Sequence, residues 1–417
     1  MVSLTMAIVF ADEGGQAFPY EMPAERPNQP LSAAMERAYN NYSALRPEEN
    51  ELYTQFKFTR LEGFDYNGGD GTVSRRDPSK VIFENGQYYV WYTYRHTERD
   101  PVSRRNAHLA TETIPSADWD LAEIWYATSK DGFTWKEQGV AVPRPPSPNV
   151  GCRSVCTPDI LKWKGKFYLY YQGYRVANGL EGDDCPIAVS YADAPDGPWT
   201  ALYQEVIPNG TPGEWDQYSI HDPYPLVHDG KIYLYYKVDL DKRPELMTPK
   251  VRMQGLATAD NPFGPFVKHP LNPILNSGHE TTLFPFKEGL AAFAIKDGME
   301  HSTIQYASDW VNFEIASIVD LMPVAAGPYV SDAFTNTDYG SGITWGISHF
   351  VNAGNDWERD YSILARSDCD LSLEVHDREM KRHFHQYGPE HYFEHGLSGK
   401  QRQRVEKQAY AETQSEK

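Results

Sequence analysis

From Asp77 onward, apolar and polar positions alternate in short aromatic-rich runs separated by tight-turn residues, the pattern of β-strands rather than helices. In "KVIFENGQYYVWYTY" the pair Asn85-Gly86 stands between two such runs, and Asn-Gly supplies the positive φ that a two-residue hairpin demands. The design returns in "DILKWKGKFYLYYQ" around Gly165, "YPLVHDGKIYLYYK" around Asp229-Gly230, "TLFPFKEGLAAFAI" around Gly289 and "AFTNTDYGSGITWGISHF" around Gly340. Further short strands follow each hairpin, so the repeating unit is a small antiparallel sheet. The units start at Asp77, Asp159, Asp222, Glu280 and Asp332, 52 to 82 residues apart, which leaves room for three or four strands and their loops. Self-similarity of this length marks radial repetition, and the pattern predicts an all-β, five-bladed β-propeller.

The innermost strand of a blade presents one edge to a central channel, where the missing N–H of Pro78 or Pro223 breaks no ladder bond. Proline also biases the residue before it, which predicts extended backbone at Asp77 and Asp222 beside the channel mouth. Upstream the period changes. Leu31, Ala34, Met35, Ala38, Tyr39, Tyr42 and Leu45 fall at steps of three and four, one apolar helical face that Pro47 stops, and a second short helix through Leu52 and Phe56 completes a helix-turn-helix extension. The apolar stripe needs a cover, either its own domain or a partner subunit. The chain therefore divides into an N-terminal segment (1–29), a helical hairpin (30–60), the propeller (61–396) and a polar C-terminal tail (397–417).

Composition narrows the function. The 58 acids against 39 bases give a net charge of -19, which repels a phosphate backbone and argues against nucleic acid as a partner. No run approaches the roughly 18 apolar residues of a membrane span, so no membrane association is expected. The start, "MVSLTMAIVFADEGG", reads as the stub of an export signal or an artificial leader, and leaves periplasm and cytoplasm both open. Four cysteines are too few for a disulfide framework, and Cys152 and Cys156 lack the second pair that a structural zinc would use. They read as buried or free thiols, with a Cys152–Cys156 bridge as the alternative.

If the blades close, the starts of successive inner strands converge, so Asp77, Asp159, Asp222 and Glu280 share one funnel. Crowded carboxylates push their pKa values apart, the condition under which one serves as acid and another as base. The competing reading is that each caps a turn, and for Asp332 that reading is the better one. Trp125, Gln172, His221, Lys237 and His279 fall at strand ends near the same funnel. Aromatic faces pack on a sugar ring while amide and imidazole groups bond its hydroxyls, so a carbohydrate site is the leading expectation.

"SRRDPSKVI", "YYVWYTYR", "WDLAEIWYATSKDG", "TPDILKWKGK", "HDPYPL" and "NSGHE" together resemble glycoside hydrolase family 117, the α-1,3-(3,6-anhydro)-L-galactosidases, from the N-terminal helices to about "HYFEHG" at 391–396. The resemblance implies an exo-acting, inverting enzyme that releases 3,6-anhydro-L-galactose from the non-reducing end of neoagaro-oligosaccharides. It implies Asp77 as general base, Asp222 as a supporting acid, Glu280 as the third acid, and His279 as general acid with Glu280 the alternative. Arg76, Trp125, Thr157, Asp159, Gln172, His221 and Lys237 become substrate-binding candidates. It further implies a homodimer exchanging the N-terminal helices. No cofactor is required, and a metal ion near the propeller axis is compatible with such folds although no ligand cluster identifies one. The alternatives are an arabinofuranosidase or xylosidase on the same architecture and a non-catalytic sugar-binding propeller.

Overall fold

The computed structural model describes residues 24–28, 50–180, 185–211, 214–217, 219–239, 252–275, 279, 281–295, 300–351 and 361–373. The helical stripe from Leu31 to Leu45, Glu280 and the tail 397–417 lie outside the described residues. Within them the regular structure is β, apart from single 3-10 segments at Asn67–Gly69 and Arg104–Leu109. None of the described helices is long and apolar enough to cross a membrane.

After β1 (Lys57–Arg60) come β2 (Val73–Arg76), β3 (Ile82–Glu84), β4 (Gln87–His96), β5 (Glu123–Ser129) and β6 (Trp135–Val142). Both β2 and β3 pair with β4, making one inner strand interrupted at Asp77, and the first meander runs outward through β5 to β6. The second is β7 (Ser154–Trp163), β8 (Lys166–Tyr174), β9 (Ile187–Ala192) and β10 (Thr200–Ala201). The third is β11 (Ile220–His228), β12 (Lys231–Asp239), β13 (Arg252–Ala259) and β14 (Val267–Lys268). The fourth is β15 (Thr282–Lys287), β16 (Gly289–Ala294), β17 (Thr303–Ala307) and β18 (Glu314–Ile318). β19 (Val324–Pro328), β20 (Gly340–Val351) and β21 (Ser362–Ser372) form the last, and β1 completes it by pairing with β21 from Lys57↔Asp368 to Arg60↔Ala365. Two residue pairs, Phe286↔Ser341 and Lys287↔Gly340, fuse the fourth and fifth meanders into one sheet.

The hairpin turns follow the sequence pattern where Gly follows a residue that tolerates left-handed backbone. Asn85-Gly86 (φ 50° and 73°) and Asp229-Gly230 (51° and 70°) each place two positive φ values in succession, the requirement of a type I′ turn. Two expectations shift. Gly340 opens β20, and the fifth unit begins at β19, upstream of Asp332. Asp332 instead ties a turn, its Oδ2 accepting from the Ser341 N–H at 2.7 Å and hydroxyl at 3.0 Å. Residues 50–56 are turn and coil, not a second helix, and 57–60 are strand. Their apolar side chains are satisfied by tertiary contact: Leu52 is buried in the core, and Phe56 meets Phe293 edge to face at 5.4 Å.

Apolar clusters join the meanders in cyclic order. Trp91 and Ile124 of the first pack with Ile160 and Leu169 of the second. Tyr170 and Val189 of the second meet Leu234 and Val238 of the third. Leu226 and Leu256 of the third meet Leu283 and Phe293 of the fourth, with Ile343 and Leu371 of the fifth. Tyr92 and Trp135 of the first close on Trp345 and Ile347 of the fifth. Each sheet buries both faces against a neighbour, which explains why the strands read as nearly continuous aromatic runs.

Candidate active site

In three successive meanders the inner strand carries the same irregularity. Asp77 (φ 49°), Thr157 (φ 49°) and Asp222 (φ 46°) each adopt left-handed backbone immediately before a proline. The ladder register slips at the latter two, between Cys156 and Asp159 and between His221 and Tyr224. The extended geometry expected of Asp77 and Asp222 is therefore not what forms. Each of the three kinks turns an N–H out of its ladder, and a buried N–H must find another acceptor.

The acceptor comes each time from the second strand of the preceding meander, or from β20 in the case of the first. Asp77 N–H donates to His349 Nδ1 on β20 (3.0 Å), Thr157 N–H to Thr93 Oγ1 on β4 (2.7 Å), and Asp222 N–H to Gln172 Oε1 on β8 (3.1 Å). Thr93, Gln172 and Lys237 stand opposite Arg76, Cys156 and His221, the residues just before the kinks. The fold thus uses side chains of one meander to hold the strained backbone of the next.

These kinks open into one cavity of about 190 Å³. Its wall includes eight residues anticipated from the sequence: Arg76, Asp77, Thr157, Gln172, His221, Asp222, Lys237 and His279. Asp77 Oδ2 accepts from Arg76 Nε (2.9 Å), Thr93 Oγ1 (3.2 Å) and Thr157 Oγ1 (3.3 Å), donors that favour the carboxylate. Arg76 is itself held by Asp118 Oδ2 (3.3 Å), which also accepts from Ser362 Oγ (2.6 Å), while Asp118 Oδ1 accepts from Arg95 (3.2 Å). Asp222 Oδ2 lies 3.0 Å from Lys237 Nζ, so its charge is countered within the cavity wall. His221 Nδ1 stands 2.8 Å from Cys185 Sγ and 3.3 Å from Gln172 Nε2, a polar floor beneath Asp222. Arg252 Nη1 is 3.4 Å from His279 Nδ1 within the same wall.

Two anticipated residues stand elsewhere. Asp159 is not the second-meander counterpart of Asp77; Thr157 is. Asp159 pairs with Lys80 Nζ in the sealed interior and also accepts from the Lys80 and Ile160 N–H groups at 2.8 and 2.9 Å. The Lys80 ammonium lies 3.8 Å from the Tyr224 ring centroid. Burial pulls Lys80 down to about 8 and pushes the Asp159 carboxyl up, each opposed by the other's charge. Trp125 packs on Tyr94 at 4.1 Å between meanders, away from the cavity wall. Trp119 lines the cavity instead, with the Arg76 and Arg104 guanidinium carbons 4.8 and 5.9 Å from its ring centroid. It arrives on the long β4–β5 connection, which Arg153 braces by bonding Asp120 at 2.6 Å and the Thr111 carbonyl at 2.6 Å. Tyr174, Arg252 and Val351 also contribute to the wall. Among the described residues no group of His, Cys, Asp and Glu side chains is arranged to hold a metal ion, and no disulfide joins the four cysteines.

Residues 112–248 match the model of glycosyl hydrolases family 43. The structure is similar to Zg3597, a family 117 glycoside hydrolase produced by the marine bacterium Zobellia galactanivorans, with a TM-score of 0.79 and 58% identity over 84% of this chain and 100% of that one. Weaker likenesses, which speak to fold alone, are to BT0996 in its RGII complex (TM-score 0.53, 14% identity, 80% of this chain and 94% of that one) and to a glycoside hydrolase (0.52, 13%, 81% and 96%). No curated protein sequence matches the chain.

Proposed function

We propose, from the premise that this protein belongs to glycoside hydrolase family 117 and is a glycosidase, that it hydrolyses the α-1,3 linkage of neoagaro-oligosaccharides and releases 3,6-anhydro-L-galactose from the non-reducing end. One observation carries the reading: Asp77 and Asp222, far apart in sequence, enter a single small cavity together with His279 and a set of hydroxyl-bonding side chains. A cavity of about 190 Å³ lies below the ~300 Å³ at which pockets for drug-sized ligands begin, which suits one terminal sugar ring and hence exo action.

In this reading Asp77 activates water. Its carboxylate is oriented by Arg76, Thr93 and Thr157. Asp222, paired with Lys237, orients the ring. His279, or Glu280 beside it in sequence, protonates the leaving oxygen, and direct attack by water inverts the anomeric centre. The five meanders are the blades of a five-bladed propeller, and the N-terminal helices join two such chains as a homodimer; sedimentation of the chain with and without residues 1–49 tests the latter. Incubation with neoagarotetraose tests the activity: 3,6-anhydro-L-galactose should appear as the released monosaccharide, inverted by NMR at early times. Release of the disaccharide, or no release, rejects the reading. The match to a family 43 model supports a second reading, arabinofuranosidase or xylosidase activity, which aryl arabinofuranosides and xylosides would reveal in the same assay.

A further inference from the structure

Of the three side chains that capture a kinked N–H, His349 differs from Thr93 and Gln172 in what else it touches. Its ring is fully buried on β20, a strand of the blade next to the one that bears Asp77. The same Nδ1 that accepts from the Asp77 N–H at 3.0 Å lies 3.2 Å from Asp77 Oδ1. A backbone N–H can only donate, so this bond fixes the lone pair on Nδ1 and the ring proton on Nε2. That lone pair therefore holds the Asp77 N–H, while the Asp77 carboxylate is held separately through Oδ2, which accepts from Arg76, Thr93 and Thr157.

We infer that His349 is the positioning residue of the general base: by accepting the Asp77 N–H it locks the left-handed backbone that carries the carboxylate into the cavity. The inference rests on Asp77 being that base. In the step, the water O–H bond breaks as its oxygen bonds to the anomeric carbon, the proton passes to an Asp77 oxygen, and the electron pair of the C–O bond leaves with the protonated leaving group. Losing that hold misplaces the base without removing a contact to the substrate, so it should lower kcat and leave KM nearly unchanged.

The test uses the full chain as wild type, His349→Leu, His349→Asn, Asp77→Asn and the Asp77→Asn/His349→Leu double variant, with neoagarotetraose as substrate. A misplacement of the base by about 1 Å costs on the order of 100-fold. His349→Leu should therefore fall about 100-fold in kcat with KM within about threefold. His349→Asn, whose side-chain oxygen can accept the Asp77 N–H, should recover most of that loss. The double variant should be no slower than Asp77→Asn alone, because residues acting through one group are not additive. A His349→Leu enzyme with normal kcat, or a double variant slower than Asp77→Asn by the full His349 factor, overturns the inference while leaving the base assignment standing. An active Asp77→Asn removes the base itself and the inference with it. If wild type does not turn over this substrate, histidine-15N NMR decides: His349, assigned by its loss in His349→Asn, should show an unprotonated Nδ1, and a protonated Nδ1 overturns the inference.

Discussion

Two Lys–Asp pairs in this molecule share their chemistry and differ in their surroundings. Lys80–Asp159 joins the first two blades in the sealed interior, with the Tyr224 ring against the ammonium. Lys237–Asp222, nearly as buried, forms part of the cavity wall. Both aspartates sit at the start of a repeat in the sequence, beside the proline. The kink separates them. At Asp222 the left-handed residue is the acid itself, so the carboxylate accompanies the ladder slip into the cavity. In the second blade the left-handed residue is Thr157, and Asp159, two positions on, has returned to the ladder and faces the interior. An identical ion pair is thereby structural in one place and available to a ligand in the other.

The sharpest way to break that contrast is at Asp222. Asp222→Asn should lower turnover about 1,000-fold, in the range found when a preorganised charge beside the reaction centre is lost, while the unfolding midpoint moves little, because Asn keeps the shape and Lys237 retains access to the cavity. Asp77→Asn should lose at least as much, since in the proposed mechanism it removes the base. Steady-state kinetics alongside chemical denaturation measure both quantities; a large loss of stability in Asp222→Asn would make the two pairs alike and sink the distinction.

The opposite outcome is expected at Asp159. Asp159→Asn strands the Lys80 ammonium in the interior and should cost about 3–5 kcal/mol of folding stability, with turnover per folded molecule largely kept. Replacing the pair together, Lys80→Met with Asp159→Leu, should restore stability to within about 1 kcal/mol or exceed it, since a well-packed apolar pair avoids both desolvation penalties. Denaturant titration of the three variants checks this.

The aromatic side chains show how far the sequence can be read. The strands are legible because each blade face is buried on a neighbour, leaving aromatic runs such as "YYVWYTY" and "KIYLYYK", and the polar residue ending such a run marks Gln172 and Lys237. The same signal is present at Thr93 and, after "TWGIS", at His349, but a threonine or histidine in a strand is equally at home in a core. The kink itself is not legible: proline statistics favour extended backbone before Pro78, and only the tertiary capture of the freed N–H offsets the strain of the left-handed form. Sequence position alone therefore aligns Asp159, rather than Thr157, with Asp77. Trp125 reads as the sugar platform because it lies near a strand end, whereas Trp119 reaches the cavity from a connection with no periodicity to read. Trp119→Ala should raise KM about tenfold, within the range for one lost ring-to-sugar contact, and Trp125→Ala should lower stability without that effect on KM.

The smallest effect separates the pairs by pH. Burial brings Lys80 down to about 8, whereas in the unfolded chain it titrates near 10.5. Between those values the unfolded state binds more protons than the folded one, so stability rises with pH across that window. Buried tyrosines act in the other direction: burial pushes Tyr66 up to about 12, so above about pH 10 the unfolded chain ionises its tyrosines while the folded chain does not, and stability falls. The denaturation midpoint of the wild type should therefore climb modestly from about pH 8 to about 9.5 and decline beyond about 10. The Lys80→Met/Asp159→Leu variant should lose the climb and keep the decline, because the tyrosines are untouched. Lys237→Met leaves Lys80 in place and should keep both; a climb that vanished with Lys237 instead would mean that the cavity pair, not the interior one, carries the cost of burial.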